Sequence, residues 1–577
     1  MSFLGFRNAV SIGVSPHLTL GGSNLLGRLS PSLILQFAGA QTMDPRITFT
    51  RASTATYYGT QTALAEQNLL LQSQNFTLNW TNSATVETAD TDVAPDGTTT
   101  ADTLAPTATT GFHGINQVNA STTGTTRTFS LFAKKGTTDF VQLYFNADSN
   151  VFANFNLNAG TVGTVGSAST ATITSVGSGW YRCVMTTSSA TANNVAVIAM
   201  ITSDTAARAE SWAALGTETI LIWGAQLEQR SAVTAYTPTT TATVTNYIPV
   251  LETAAIDAPR FDYDPITQAA LGLLIEEQRT NLLTYSAQFD NAAWTKTRSS
   301  ITANTIVAPD GTLTGDKLVA NTDSNTHNVS RNASVVSLST NTVSVYMKAG
   351  EYTWGSITAN NGSAFPTGYY NLATGVVGSF SSGASGSIQS VGNGWYRCTM
   401  TFTMASGTTP TIFILIAEGD NDQTFAGNGY DGIFIWGAQL EAGAFPTSYI
   451  PTVASQVTRS RDAASMTGTN FSSWYNGAEG SAYTEAASLG TAYNGTTIAF
   501  SDGTLNSRMI IRGMTTTSQS NSIGVDSGAT QWALVFSSQT TATTKWALGY
   551  KVDDIAFVRN AATPLTDASA LIPVVNQ

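Results

Sequence analysis

Residues 68–80 read NLLLQSQNFTLNW and residues 281–294 read NLLTYSAQFDNAAW, so one phrase stands twice in the same chain. Each copy is followed by a turn phrase, VAPDGTTTADTL from Val93 and VAPDGTLTGDKL from Val307. Farther on, GSGWYRCVM (Gly177 to Met185) answers to GNGWYRCTM (Gly392 to Met400), and IWGAQLE occurs at Ile222 to Glu228 and again at Ile435 to Glu441. The four landmarks keep their order at spacings of 213 to 215 residues. Fixed order and spacing over four phrases mark a duplicated domain. Within each copy the alternation has period two. Phe129, Leu131 and Ala133 fall on one face against Ser130, Phe132 and Lys134; the second copy repeats this with Val343, Val345 and Met347 against Ser344, Tyr346 and Lys348. One face is core and the other polar or partly covered. Many short strands between Gly, Asn and Ser turns predict a jelly-roll β-sandwich for each copy.

Composition agrees with an all-β chain. The 577 residues suffice for roughly three or four domains. Only 11% are charged, and the polar residues are mainly Thr, Ser, Asn and Gly, which make strands and turns. A net charge of −12 argues against a nucleic-acid partner, which needs a basic face. Uncharged polar surfaces suit contact with glycans, and equally suit plain solvation. Two cysteines are too few for a disulfide framework. Cys183 and Cys398 occupy one repeat position in a Tyr-Arg-Cys strand and read as small buried hydrophobes. Their sparseness fits folding in a reducing cytoplasm. The N-terminus, with one Arg and a broken apolar run, makes a poor signal peptide, and no apolar stretch nears the roughly 20 residues of a membrane span.

Five regions follow from this reading. Residues 1–63 form an N-terminal attachment region with lead-in strands, SLILQFA and RITFTRASTATYYG among them. Residues 64–240 form the first jelly roll. Residues 241–280 form a linker and a β-hairpin, APRFDYDPITQAALGLLIEEQ, turning at Asp-Pro. Residues 281–452 form the second jelly roll, and residues 453–577 a C-terminal sandwich.

The words themselves bear a resemblance. NLLTYSAQFDNAAW, APDGTLTGDKL and the closing WGAQLEAGAFPTSYIPT resemble the carbohydrate-binding-module-like jelly rolls of tailed-bacteriophage virion proteins. DPRITFTRASTATYYG and APRFDYDPITQAALGLLIEEQRTNLL look like the lead-in to such modules, which normally runs unbroken; here the first jelly roll is inserted into it. The tail, with NFSSWYNGAEGSAYTEAAS and KWALGYKVDDIAFVRN, resembles a concanavalin A-like sandwich. Such sandwiches usually continue past the equivalent of Asn560, so either the chain is truncated or another element completes the sheet. The resemblance covers about Leu33 to Asn560. It implies a structural or adhesion protein of a fibre, appendage or capsid or tail decoration, made in the host cytoplasm and carried on the virion surface. It also implies other virion proteins and host-surface glycan as partners, and a homo-oligomer, most often a trimer.

Residues that recur between the copies carry the candidate chemistry. Asp102/Asp316, Lys134/Lys348, Arg182/Arg397 and Glu228/Glu441 recur in a chain poor in charge and are expected to form fixed ion pairs or hydrogen-bonded clamps. Asp96/Asp310, in the Pro-Asp-Gly turn, are the calcium candidates; otherwise no cofactor is implied. His113 and His327 also share a repeat position and read as satisfied core histidines or, as the sharper alternative, as rings that stack on a sugar. Recurring aromatics read as core anchors. Rings that differ between copies are the glycan-binding candidates: Tyr144, Phe145 and Phe152 in the first, Tyr352, Phe365 and Tyr369 in the second. No facing carboxylate pair suggests a glycosidase. The expectation is therefore a non-enzymatic virion protein presenting glycan-binding jelly rolls, with a purely architectural decoration or connector protein and a polysaccharide depolymerase as the alternatives.

Overall fold

The alternating strands close into two face-packed sheets in each repeat. The structure, a computed structural model, describes residues 6–13, 33–35, 37–122, 124–191, 193–488, 495–514, 519–537 and 542–577. In the first jelly roll one sheet runs Ser169–Gly177, Trp180–Thr187, Arg127–Lys135, Ile220–Glu228, Ala101–Pro106 and Thr85–Asp92. The other runs Thr161–Val165, Phe152–Asn156, Phe140–Phe145, Val195–Met200, Gly114–Val118 and Thr81–Ser83. The second jelly roll repeats this order strand for strand. Phe129, Leu131 and Ala133 enter the first core, and Val343, Val345 and Met347 the second. All neighbouring strands are antiparallel, so each sheet can bury one face and leave the other to solvent or to a covering segment.

The first jelly roll hangs from a two-stranded ribbon. Ala55–Asn68 pairs with Val244–Ala254, with bulges between Thr245 and Tyr247 and between Pro249 and Leu251. The ribbon lies on the outer face of the second jelly roll, where Ala65, Ile248 and Leu251 join Tyr346, Trp395, Trp436 and Tyr449 in one apolar cluster. The contact is close. A Cβ on Gly392 would meet Pro249 at 2.6 Å, whereas the equivalent Gly177 of the first copy has nothing within 4 Å. Val307 under the ribbon is 3% exposed, against 52% for its counterpart Val93. The ion pairs differ accordingly: Lys134 bonds Asp92 within its own domain, while Lys348 reaches Glu66 on the ribbon.

The C-terminal sandwich is assembled from distant segments. Its larger sheet orders Arg260–Tyr263, Ala270–Ile275, Phe6–Gly13, Glu479–Ser488, Thr544–Lys551, Asp554–Arg559 and Leu565–Asp567, with Leu33–Leu35 also pairing to Phe6–Gly13. Of residues 1–63, Phe6–Gly13 and Leu33–Leu35 join the hairpin in this sheet, so elements from elsewhere in the chain complete it; Thr48–Thr50 pairs instead with Ala463–Ser465, and Ala55–Asn68 with Val244–Ala254. A second sheet, Gly495–Ser501, Arg508–Met514, Ser520–Asp526 and Ala529–Phe536, packs across a core of Trp532, Trp546, Phe557 and Met509. A buried ion cluster pins the junction. Arg51 bonds Asp462, Arg260 bonds both Glu276 and Asp462, and Arg459 lies 3.6 Å from Glu276. All five side chains are at most 1% exposed, so each charge depends on its partners. Burial opposes the charge of Glu276, but Arg459, Arg260 and Ser448 outweigh it and hold the carboxyl well below the usual range.

Candidate functional site

Apart from Lys348, which reaches Glu66 on the ribbon, the recurring charges are hydrogen-bonded clamps or ion pairs within each jelly roll. Asp102 accepts the Phe76 and Asp90 N–H groups, and Asp316 accepts those of Phe289 and Asn304. Neither meets a cation in these bonds, so burial dominates and pushes Asp316 up to about 6; Asp102 shifts the same way. Glu228 accepts the Thr234 N–H and hydroxyl, and Glu441 those of Thr447. Arg182 donates to the Thr234 carbonyl and the Ser130 hydroxyl, and Arg397 to Thr447 and Ser344 in the same way. Together they tie the segment after the last strand back to the sheet. Asn68 and Asn281, which sequence reasoning passed over, do similar work. Each amide donates to two carbonyls, Ala225 and Thr237 or Ala438 and Ile450, and accepts two N–H groups. Their signal was the Asn-Leu-Leu that opens both copies.

Asp96 and Asp310 each accept the N–H and hydroxyl of the Thr two residues on, which fixes the turn. Among the described residues no three His, Cys, Asp or Glu side chains gather as a metal site. His113 and His327 are fully buried. Their ring nitrogens face the carbonyls of Ala84 and Trp212 in one copy and of Arg298 and Phe425 in the other. That placement removes both rings from any sugar.

The aromatic candidates part company. Phe145 is a core ring beside Phe129, with no face left for a ligand. Tyr144 is 4% exposed under the Arg208 guanidinium, 4.2 Å from its ring centre, and burial pushes its hydroxyl up to about 12. Phe152 is half-buried beside it. Tyr352 is half-buried against Phe425, away from the sheet face. Tyr369 and Phe365 belong to the outer face of the sheet Trp354–Ala359, Thr367–Asn371 and Thr411–Ala417.

That face is the candidate site. Ile357, Ile412, Ile414 and Tyr370 point into the core, so alternation turns Thr358, Phe413 and Tyr369 outward. Phe365 is 60% exposed and its ring centre lies 6.4 Å from that of Phe413. Thr358 and Thr367 stand opposite each other with hydroxyls 2.9 Å apart, and Ser330 is paired across from Phe413. Asp420, bonded to Ser379, borders the other end near Tyr369. Phe365 is the open ring of the row; Thr358, Thr367, Ser330 and Tyr369 are 6, 7, 7 and 5% exposed. Thr367 donates to the Phe365 carbonyl at 3.0 Å, which leaves the paired hydroxyls lone pairs with which to accept. Sequence reasoning missed Phe413, although its counterpart by strand position is Val197 and the contrast between copies would have selected it.

On the first jelly roll the same face is closed. Residues 201–210 cross it, and their main chain bonds Gln142 and Asn154, both fully buried.

No family model and no curated protein matches the chain. Among solved structures it is similar to the N-terminal CBM22-1–CBM22-2 tandem domain of Paenibacillus barcinonensis Xyn10C. The identity is 10% and the TM-score 0.19, over 67% of this chain and 99% of that one. Likeness of that degree does not bear on what this chain binds.

Proposed function

We propose that this chain is a non-catalytic adhesion protein of a tailed-phage particle that holds host-envelope glycans on its second jelly roll. The observation that carries the reading is the Phe365–Phe413 pair beside the Thr358–Thr367 hydroxyls on an outward sheet face. A flat ring packs on the C–H face of a pyranose and excludes water, while the spare lone pairs of the two threonine hydroxyls accept from the sugar's own. One such row makes a weak site. Repetition on a virion surface, in a homo-oligomer such as a trimer, raises the effective affinity by avidity.

The test is a glycan array that includes host lipopolysaccharide, run on the purified protein with and without chelator. Saturable binding is expected, with Phe413→Ala weakening it about tenfold, near the upper end of one aromatic contact. Binding is expected to persist in chelator, because Asp96 and Asp310 spend their carboxylates on their own turns. A folded, oligomeric sample that binds no glycan would replace adhesion with the architectural role.

A further inference from the structure

We propose that the first jelly roll carries a second, latent glycan-binding groove whose ligand position is taken by its own loop, residues 201–210. The inference rests on the reading of the second jelly roll above and extends it to the first copy.

The loop joins Val195–Met200 to Ser211–Ala213 and lies along the outward sheet face. Beneath it Gln142 and Asn154 stand opposite each other on adjacent strands, both fully buried. Gln142 donates to the Asn154 side-chain oxygen (2.7 Å) and to the Ala207 carbonyl (3.1 Å), and accepts the Ala209 N–H (2.7 Å). Asn154 donates to the carbonyls of Asp204 (3.1 Å) and Ala206 (2.8 Å). A primary amide presents two donors and an acceptor at fixed angles, and vicinal sugar hydroxyls satisfy that same set. The flat Arg208 guanidinium covers Tyr144, where the face of a pyranose would stack.

A loop laid across a sheet buries main-chain groups that must be paired, and a pair of amides set for that pairing is also set for a hydroxyl-bearing ligand. Here the amides are present, and the loop's main chain supplies what a ligand would. The loop is rooted by Glu210, whose carboxylate accepts the Thr202 N–H and hydroxyl at 2.7 Å each. In the second copy residues 418–424 make the same connection and reach the corresponding strand through Gln423 to Ser356 at 3.3 Å. The long loop thus sets Arg208 over Tyr144, whereas at that end of the sheet the second copy leaves Phe365 60% exposed.

The experiment uses the full chain and an immobilised panel of neutral hexaoses (cello-, xylo-, manno- and maltohexaose). In a Phe365→Ala/Phe413→Ala background, which removes the open site, residues 201–210 are exchanged for the sequence of residues 418–424. Near-ultraviolet circular dichroism and melting establish that each variant is folded, and Arg208→Ala serves as the milder opening. Retention at least tenfold above the background, abolished again by adding Tyr144→Ala, is expected. A folded exchange variant, or a folded Arg208→Ala chain should the exchange not fold, that retains no more sugar than its background overturns the latent groove. If the unaltered chain binds while its opened variants add nothing, only this inference falls. If only an opened variant binds, the latent groove stands and the reading of the second jelly roll falls. If no variant and no unaltered chain binds, both fall.

Discussion

Asp316 and Glu276 titrate in opposite senses, and the chain's response to pH follows from that opposition. Burial raises Asp316 to about 6, above the roughly 3.9 of an unfolded aspartate. The folded state therefore binds an extra proton between those values. Its stabilisation is complete below about pH 4 and is lost as pH rises through about 6. Glu276 is depressed in the fold, so its contribution is present above about pH 4.3 and is lost as pH falls toward its folded value. The melting temperature is expected to rise from pH 7 to pH 5 and to fall below pH 4. Asp316→Asn lowers stability at every pH, because one of two N–H groups loses its acceptor, and it flattens the slope between pH 5 and 7. Calorimetry across that range decides, and an unchanged slope in Asp316→Asn would exclude this carboxyl as the source. Single residues were also where the sequence misled. Tyr144 and Phe145 are adjacent in a strand, so alternation allows only one of them to face outward, and the contrast between copies does not say which.

At the scale of elements, the ribbon is the part the sequence did not disclose. Strand alternation in TFSLFAK could be read directly, because a period of two depends on neighbours. The pairing of Ala55–Asn68 with Val244–Ala254 depends on a partner beyond an entire domain, and no local pattern encodes it. Its energetic weight can be isolated with two glycines. Gly177 and Gly392 both hold positive φ, 92° and 96°, so alanine strains each alike by about 1 kcal/mol. Only Gly392→Ala also drives a Cβ into Pro249, which adds about 1–3 kcal/mol as the ribbon is displaced. Urea unfolding of the two variants is expected to show the larger loss for Gly392→Ala; equal losses would mean that the ribbon yields freely.

At the scale of the molecule, two jelly rolls could be counted from the repeated phrases, but the composite sheet of the C-terminal sandwich could not. Its strands come from both ends and the middle of the chain, and their pairing leaves no trace in local composition. The insertion makes one part removable. The first jelly roll has its own core, and Asn68 faces Val244 at the ribbon's end. Replacing residues 69–243 by an Asn-Gly turn should close the ribbon as a hairpin. The remaining protein is expected to keep its other melting transitions within a few degrees while one is lost from the calorimetric trace. Collapse of every transition would show that the inserted domain is needed by its host.

The strand Phe6–Gly13 lies between Ala270–Ile275 and Glu479–Ser488, antiparallel to both. Tension applied between the beginning and the end of the chain therefore meets the hydrogen bonds of this sheet first. Both jelly rolls leave and return on the same side of that lock, as slack loops off the line of force. A pull on the two ends would strain the C-terminal sandwich while the cores of both jelly rolls stay unloaded and in register.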